Sequence, residues 1–307
     1  MRFNVQERNI HIKRCFQILL FGSILIFSSK LALAQNKVQG NLSDAVVVPL
    51  WKGKAPFSKI NKPEKKLPSK GDGIIRITDV SHPSITIYPT TKSTRPMPAL
   101  LISPGGGYQI LAMNLEGTEI ASWAKSIGFT PVILKYRVPK QRKAAFADIQ
   151  RAMSILRTNA KKWNIIPDKI GIIGFSAGGN LSARLSTHYK KRIYKPVDQN
   201  DKVSMKPDFC ILIYPAYLVD KQDHLKKDVK IVDQPPPTFL TQTQDDPIGY
   251  RNSFFFFNTL TQHHVPAELH MFAKGGHGYG LRTNKSNPLS NWPNLCEKWL
   301  RSIHVIR

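Results

Sequence analysis

The segment that most constrains this chain is Gly174-Phe175-Ser176-Ala177-Gly178-Gly179, directly after the apolar run Lys169-Ile170-Gly171-Ile172-Ile173. A serine sits between two glycines where a strand should stop and a helix begin. This is the G-x-S-x-G pattern of a nucleophile elbow. Small residues at 174 and 178 let strand and helix pass close together and permit a strained backbone at the turn. A serine hydroxyl is a poor nucleophile at neutral pH unless a base takes its proton. The N–H of Ala177 then points at a developing oxyanion. The elbow predicts nucleophilic serine chemistry, and it requires a base, an acid and a second oxyanion donor elsewhere in the chain.

Candidates for each follow apolar, strand-like runs. The base is His277, from Lys274-Gly275-Gly276-His277-Gly278-Tyr279-Gly280, just after Leu269-His270-Met271-Phe272. A histidine among glycines on a post-strand loop can reach a serine; His82, His188, His224, His263, His264 and His270 lack that setting. The acid should follow the preceding strand, Pro237 to Gln242, where Asp245-Asp246-Pro247 stands. One carboxylate there orients the imidazole and stabilises its protonated form. The Asp-Pro pair favours Asp246, with Asp245 as a turn residue or helix cap. The order Ser176, Asp246, His277 is the one this kind of elbow expects. The remaining donors come from Pro104-Gly105-Gly106-Gly107-Tyr108, after the strand Pro98 to Ser103. Bare backbone N–H groups of Gly105, Gly106 and Gly107 can approach a substrate carbonyl, and each such donor typically contributes about 10²–10³ in rate.

Composition sets the surroundings. A chain of 307 residues with 41% hydrophobic content suits one large α/β domain or two small ones. Residues 1–34 carry Arg2, Arg8, Lys13 and Arg14, then an apolar stretch from Cys15 to Phe27, then Ala32-Leu33-Ala34. A basic start, a short apolar core and A-x-A read as a secretory leader cleaved after Ala34. Its apolar run of about 12 residues falls short of the roughly 20 that span a bilayer. The mature chain is therefore expected to be secreted or periplasmic, without an integral membrane span. Net charge is +25 and stays strongly positive without the leader. That field favours anionic partners. No nucleic-acid motif appears, which leaves acidic polysaccharide or a membrane surface. Cys210, in an apolar run, reads as a small buried hydrophobe, and Cys210 with Cys296 makes no disulfide framework. No His/Cys cluster has metal-ligand spacing, so no metal site is expected.

Residues 35–73, rich in Lys and Pro, read as an extended arm, and 74–307 as the catalytic domain. β-rich runs fall at 74–79, 84–88, 99–103, 130–135, 169–174, 208–214, 237–242 and 267–272. Phe146, Ile149, Met153, Leu156, Ala160 and Trp163 share one helical face. Ile120, Trp123, Ala124 and Ile127 share another, and Leu295, Trp299 and Ile303 suggest a closing helix. Two strands without helices, then strands alternating with helices, predict an antiparallel start and a mostly parallel eight-stranded sheet covered on both faces. Residues 217–236 read as an irregular excursion able to cap the site.

From about residue 95 to 303 the chain resembles the α/β-hydrolases of the secreted acetyl-xylan-esterase-like group, related to bacterial feruloyl and carbohydrate esterases. The residues that carry the likeness are Ser103 to Tyr108, Leu134-Lys135-Tyr136-Arg137-Val138-Pro139, Gly174 to Gly179, Ile213-Tyr214-Pro215, Asp245-Asp246-Pro247, Val265 to His270 and Lys274 to Leu281. The resemblance implies the α/β-hydrolase fold, ester hydrolysis without a cofactor, and a small-molecule or polysaccharide ester as substrate. It implies Ser176 as nucleophile, His277 as base then acid, Asp246 as orienting acid, and Gly106, Gly107 and Ala177 as oxyanion donors. Two departures stand out. Pro104 occupies the place where many relatives have His before the glycines, and Gln242-Thr243-Gln244 stands where many have His-Gly before the acid. No carboxylate pair is set on its own strands for glycosidic cleavage, so that activity is excluded. A prolyl-oligopeptidase-type peptidase is the rival reading, disfavoured because no propeller precedes the core; an inactive carbohydrate-binding or scaffold protein has no use for the full set.

Overall fold

The computed structural model describes residues 42, 44–59, 62–90 and 95–307. The leader expected over residues 1–34 lies outside them. Eight strands form the main sheet: β1 (Val46–Pro49), β2 (Ser84–Ile87), β3 (Met97–Ser103), β4 (Thr130–Lys135), β5 (Ile165–Phe175), β6 (Cys210–Ile213), β7 (Thr238–Thr243) and β8 (Ala267–Phe272). Their spatial order is β1-β2-β4-β3-β5-β6-β7-β8. β1 and β2 pair antiparallel, as do β2 and β4, and every later pair is parallel.

The expected antiparallel start is present, but one strand is exchanged. The run at 74–79 yields only Arg76–Thr78, which pairs with Lys65–Lys66 and Leu111–Ala112 in a separate three-stranded sheet. The edge of the main sheet is instead Val46-Val47-Val48-Pro49, inside the stretch read as an arm. Three consecutive valines favour a pleated strand. An edge strand needs little burial, and Val47 is 62% exposed, so no alternating pattern marks it.

Among the described residues five α-helices cover the sheet: α1 (Glu119–Ser126), α2 (Arg142–Thr158), α3 (Ala177–Thr187), α4 (Arg251–Gln262) and α5 (Trp292–Ser302). Strand side chains alternate between two cores, as the two-residue period requires. Leu101, Val132, Ile172, Leu212 and Leu240 pack with Phe146, Met153, Leu181, Phe256 and Leu260 of α2, α3 and α4. Their neighbours Leu100, Ile102, Ile133, Ile173 and Ile211 pack with Ile120, Trp123, Trp292 and Trp299 of α1 and α5. Parallel strands buried on both faces explain the near-continuous apolar runs. The loops after β3, β5, β7 and β8 all leave the carboxyl edge of the sheet. Ligands of open α/β sheets bind there.

A buried ion pair ties the N-terminal segment to this frame. Arg137 and Asp148 are fully buried and 2.7 Å apart. The Trp51 indole donates to Asp148 at 2.8 Å, Arg137 donates to the Pro56 carbonyl, and Arg151 donates to the Leu50 carbonyl at 3.0 Å. Removing one partner of such a pair strands the other charge away from water. Asp148→Ala is expected to cost about 3–5 kcal/mol of stability, read as a lowered denaturation midpoint in urea. A shift below about 1 kcal/mol would mean that water reaches Arg137.

Among the described residues no helix is long and apolar enough to cross a membrane, and no group of three His, Cys, Asp or Glu side chains is placed to hold a metal. Cys210 and Cys296 are buried free thiols, one in each core.

Candidate active site

β5 ends at Phe175 and α3 begins at Ala177. Between them Ser176 holds φ 49° and ψ −115°, a conformation that non-glycine residues rarely adopt and that the surroundings must enforce. Backbone bonds do so: Ser176 N–H donates to Ile213, and the Ser176 carbonyl accepts from Asn180 and Ala216. Gly178 lets α3 approach the end of β3. A Cβ there would lie 2.0 Å from the Ser103 carbonyl oxygen, a distance no side chain tolerates.

His277 brings the next two candidates together. Its Nε2 lies 2.8 Å from Ser176 Oγ, and its Nδ1 lies 2.7 Å from Asp246 Oδ2. Of the two adjacent aspartates, Asp246 is therefore the one against the imidazole. It also accepts from Ile248 N–H at 2.7 Å and from the Gln242 amide at 2.8 Å. Burial by itself pushes the Asp246 carboxyl up. The His277 hydrogen bond and charge, with those two donors, outweigh it and hold the group below the usual carboxylate range. Asp245 takes another task. Its carboxylate accepts from Gly276 N–H at 2.8 Å and Gly275 N–H at 3.2 Å, pinning the turn before His277. Those backbone donors, Gly276 first, hold it below the usual range as well.

The glycine loop lies against the elbow: a Cβ on Gly105 would sit 2.9 Å from Ser176 Cβ. Gly106, at φ +129°, leaves no room for a side chain, since its Cβ would meet the Ile110 carbonyl at 2.3 Å. Among the described residues no group accepts from the N–H of Gly106, Gly107 or Ala177. Gly105 is different. Its N–H is spent on Glu116 Oε2 at 2.6 Å. Pro104, which stands where many relatives have histidine, offers its carbonyl to the Tyr136 hydroxyl at 2.7 Å.

A hydrogen-bonded serine, imidazole and carboxylate beside free backbone donors is the arrangement of nucleophilic acyl transfer. The BD-FAE family model matches residues 85–245, which include the glycine loop, the elbow and Asp245. The chain belongs to the BD-FAE family. It is similar to an acetylxylan esterase of Xylanibacter ruminicola, at 29% identity over 60% of this chain and 42% of that protein. It is also similar to endo-1,4-beta-xylanase B of Butyrivibrio fibrisolvens, at 31% identity over 58% of this chain and 32% of that protein. The chain thus spans less than half the length of these curated relatives. A solved acetyl ester-xyloside bifunctional hydrolase from Caldicellulosiruptor lactoaceticus superposes with a TM-score of 0.71 at 31% identity. It covers 85% of this chain and 97% of that one. The fold is that of the α/β-hydrolases, as the motifs implied.

Two residues of this BD-FAE chain escaped the sequence reading. Gln242 is one: its amide carbonyl accepts from Ser253 Oγ at 2.9 Å, which fixes the amide that donates to Asp246. The departure from His-Gly thus supplies a donor to the acid. Glu116 is the other. It is buried, and its second oxygen accepts from the Tyr214 hydroxyl at 2.8 Å. The same hydroxyl accepts from Gly280 N–H at 3.0 Å, and the Tyr214 ring packs edge-on against His277, centroids 4.9 Å apart. Glu116 and Tyr214 so connect the glycine loop to the histidine loop. Burial pushes the Glu116 carboxyl up, opposed by the Tyr214 hydroxyl, the Gly105 N–H and the nearby His277. A lone glutamate in Asn114-Leu115-Glu116-Gly117 carries no pattern that announces this.

Proposed function

We propose that this carboxylic-ester hydrolase is an exported serine esterase that removes acetyl groups from polysaccharide or oligosaccharide. The observation that carries the reading is the unbroken line from Ser176 Oγ through His277 to Asp246, with the Ala177, Gly106 and Gly107 N–H groups unspent beside it. Similarity to an acetylxylan esterase supports the acyl group, and the leader-like residues 1–34 support export.

The chemistry follows from the atoms. His277 Nε2 takes the Ser176 proton as Oγ attacks the ester carbonyl. The carbonyl oxygen becomes an anion stabilised by the N–H groups of Ala177 and of Gly106 or Gly107. Asp246 stabilises the imidazolium and keeps Nδ1–H directed at itself. The tetrahedral species collapses, the sugar hydroxyl leaves with the proton from His277, and an acetyl group stays on Ser176. His277 then deprotonates a water that attacks the acyl-enzyme, and acetate departs. No metal or cofactor takes part in these steps.

The test is a substrate screen of the purified protein across acetylated xylan, acetylated pectin, feruloylated arabinoxylan and a dipeptide anilide. Acetate release from acetylated xylan is expected. Cleavage of the anilide alone would replace the reading with a peptidase of the prolyl-oligopeptidase kind.

A further inference from the structure

Arginines in this chain are mostly held by carboxylates: Arg137 by Asp148, Arg151 by Asp198 and Asp201, Arg282 by Glu119. Two beside the glycine loop are not. Arg142 and Arg184 have no carboxylate within 4.0 Å among the described residues, and neither guanidinium donates a hydrogen bond to a described group. Arg142 instead lies 4.5 Å over the ring of Tyr108 and 4.5 Å over that of Tyr217. Arg184 lies 4.0 Å over Phe146, with its Nε buried and unpartnered. Lys226 adds a third cation 5.7 Å over Tyr217.

These groups adjoin the reacting centre. A Cβ on Gly107 would be 3.6 Å from the Tyr217 hydroxyl. Asn180, one turn beyond the elbow, accepts from the Tyr108 hydroxyl at 2.8 Å and donates to the Tyr217 carbonyl at 3.3 Å. Arg184 follows one turn later on α3. The cations also oppose one another: burial first, and then the charge of Arg142, hold Arg184 below its ordinary basicity, with Asp228 in partial compensation. Arg142 and Lys143 open α2, whose first turn carries no acid. The helix dipole therefore adds to the positive field there. Aromatic faces accommodate a guanidinium's charge but leave its planar N–H edge free for a carboxylate.

We infer that Arg142 and Arg184, framed by Tyr108 and Tyr217, form a subsite for a carboxylate on the esterified substrate, so that the preferred substrate carries a uronic acid near the acetylated sugar. The inference rests on the esterase reading above. Tyr108 is buried and backs Arg142 from the core, so the half-buried Tyr217 ring borders the sugar while the arginines take the acid, which places the charged sugar on the glycine-loop side of Ser176.

The experiment compares kcat/KM for acetylated xylo-oligosaccharides bearing glucuronic acid with the same oligosaccharides after reduction of the carboxyl to the alcohol. The acidic substrate is expected to be preferred by about tenfold, the scale of a partly exposed charge pair. Arg142→Gln should bring that ratio close to one. Lys298→Gln, on the exposed side of α5, removes the same charge far from the subsite and should leave the ratio intact. Arg184→Gln gives a second reading at the buried member. A wild-type ratio near one overturns the subsite and leaves the esterase reading standing. An equal fall in the Lys298→Gln protein overturns it too, because the general positive field then explains the preference. If neither oligosaccharide is deacetylated while p-nitrophenyl acetate is hydrolysed, the polysaccharide reading fails and the subsite with it.

Discussion

Ser176→Ala is expected to lower kcat for p-nitrophenyl acetate by about 10⁶-fold while the protein stays folded. The two halves of that expectation have separate causes. In the proposed mechanism Ser176 Oγ supplies the attacking electron pair, and among the described residues no other hydroxyl shares its contact with His277 Nε2. Its loss leaves only the unspent N–H groups and substrate binding, which by themselves give a modest acceleration over water. The fold should hardly notice, because the elbow is fixed through backbone atoms: the bonds to Ile213, Asn180 and Ala216 all persist in alanine. The positive φ is a strain already present with serine, and alanine carries the same Cβ. Thermal unfolding should therefore move by a degree or two, on a scale where 1 kcal/mol is roughly 2–4 °C for a domain this large. A serine-directed fluorophosphonate should label the native protein and spare the variant. Residual activity above about one per cent of the native rate would mean that another group attacks the ester.

How much of this could be read in advance depends on how local the cause was. The sheet was legible because parallel strands buried on both faces must be apolar without interruption, as in Ile170 to Phe175 and Phe209 to Tyr214. The helices over 142–158 and 292–302 were legible because one face is apolar at helical spacing. The edge strand Val46–Pro49 was not, since it buries little and sits among lysines and prolines. Ser176, His277 and the glycine loop announced themselves by glycines, which mark backbone that must bend or be approached. The Asp-Pro pair favoured Asp246 over Asp245, but their surroundings in the chain did not decide between them. What separates them is where the β8 loop returns, a long-range event with no local mark. Glu116 was invisible for the same reason: its partners, Gly105, Tyr214 and His277, come from three other loops, and only the closed sheet edge gathers them.

The adjacent aspartates lead to the second large effect. Asp246→Asn is expected to lower kcat by about 10⁴-fold with KM little changed, whereas Asp245→Asn should cost tenfold or less. Both variants remove one negative charge from neighbouring positions, so bulk electrostatics cannot distinguish them; contacts can. Asp246 Oδ2 meets His277 Nδ1 at 2.7 Å. An asparagine amide can present its NH₂ there, which forces the imidazole to carry its proton on Nε2, where it faces Ser176 and can no longer accept. The imidazolium formed during attack also loses its counter-charge. Asp245 accepts from the Gly275 and Gly276 N–H groups and is further held by the Thr243 hydroxyl, and an asparagine carbonyl can still accept from one of these donors. The histidine loop loosens but keeps its imidazole in the right tautomer, and the Thr243 hydroxyl bond to the Gly276 carbonyl at 2.6 Å continues to hold the turn. The pH profile should separate the two further. Asp246 is held below the usual carboxylate range, so the native enzyme keeps its orienting charge as pH falls through about 4, the ordinary carboxylate value. In Asp246→Asn that charge is absent at every pH, and activity should recover partly at alkaline pH, where hydroxide can replace the missing general base. Equal losses in the two variants would place the orienting carboxylate on neither aspartate alone and would return both to a structural role.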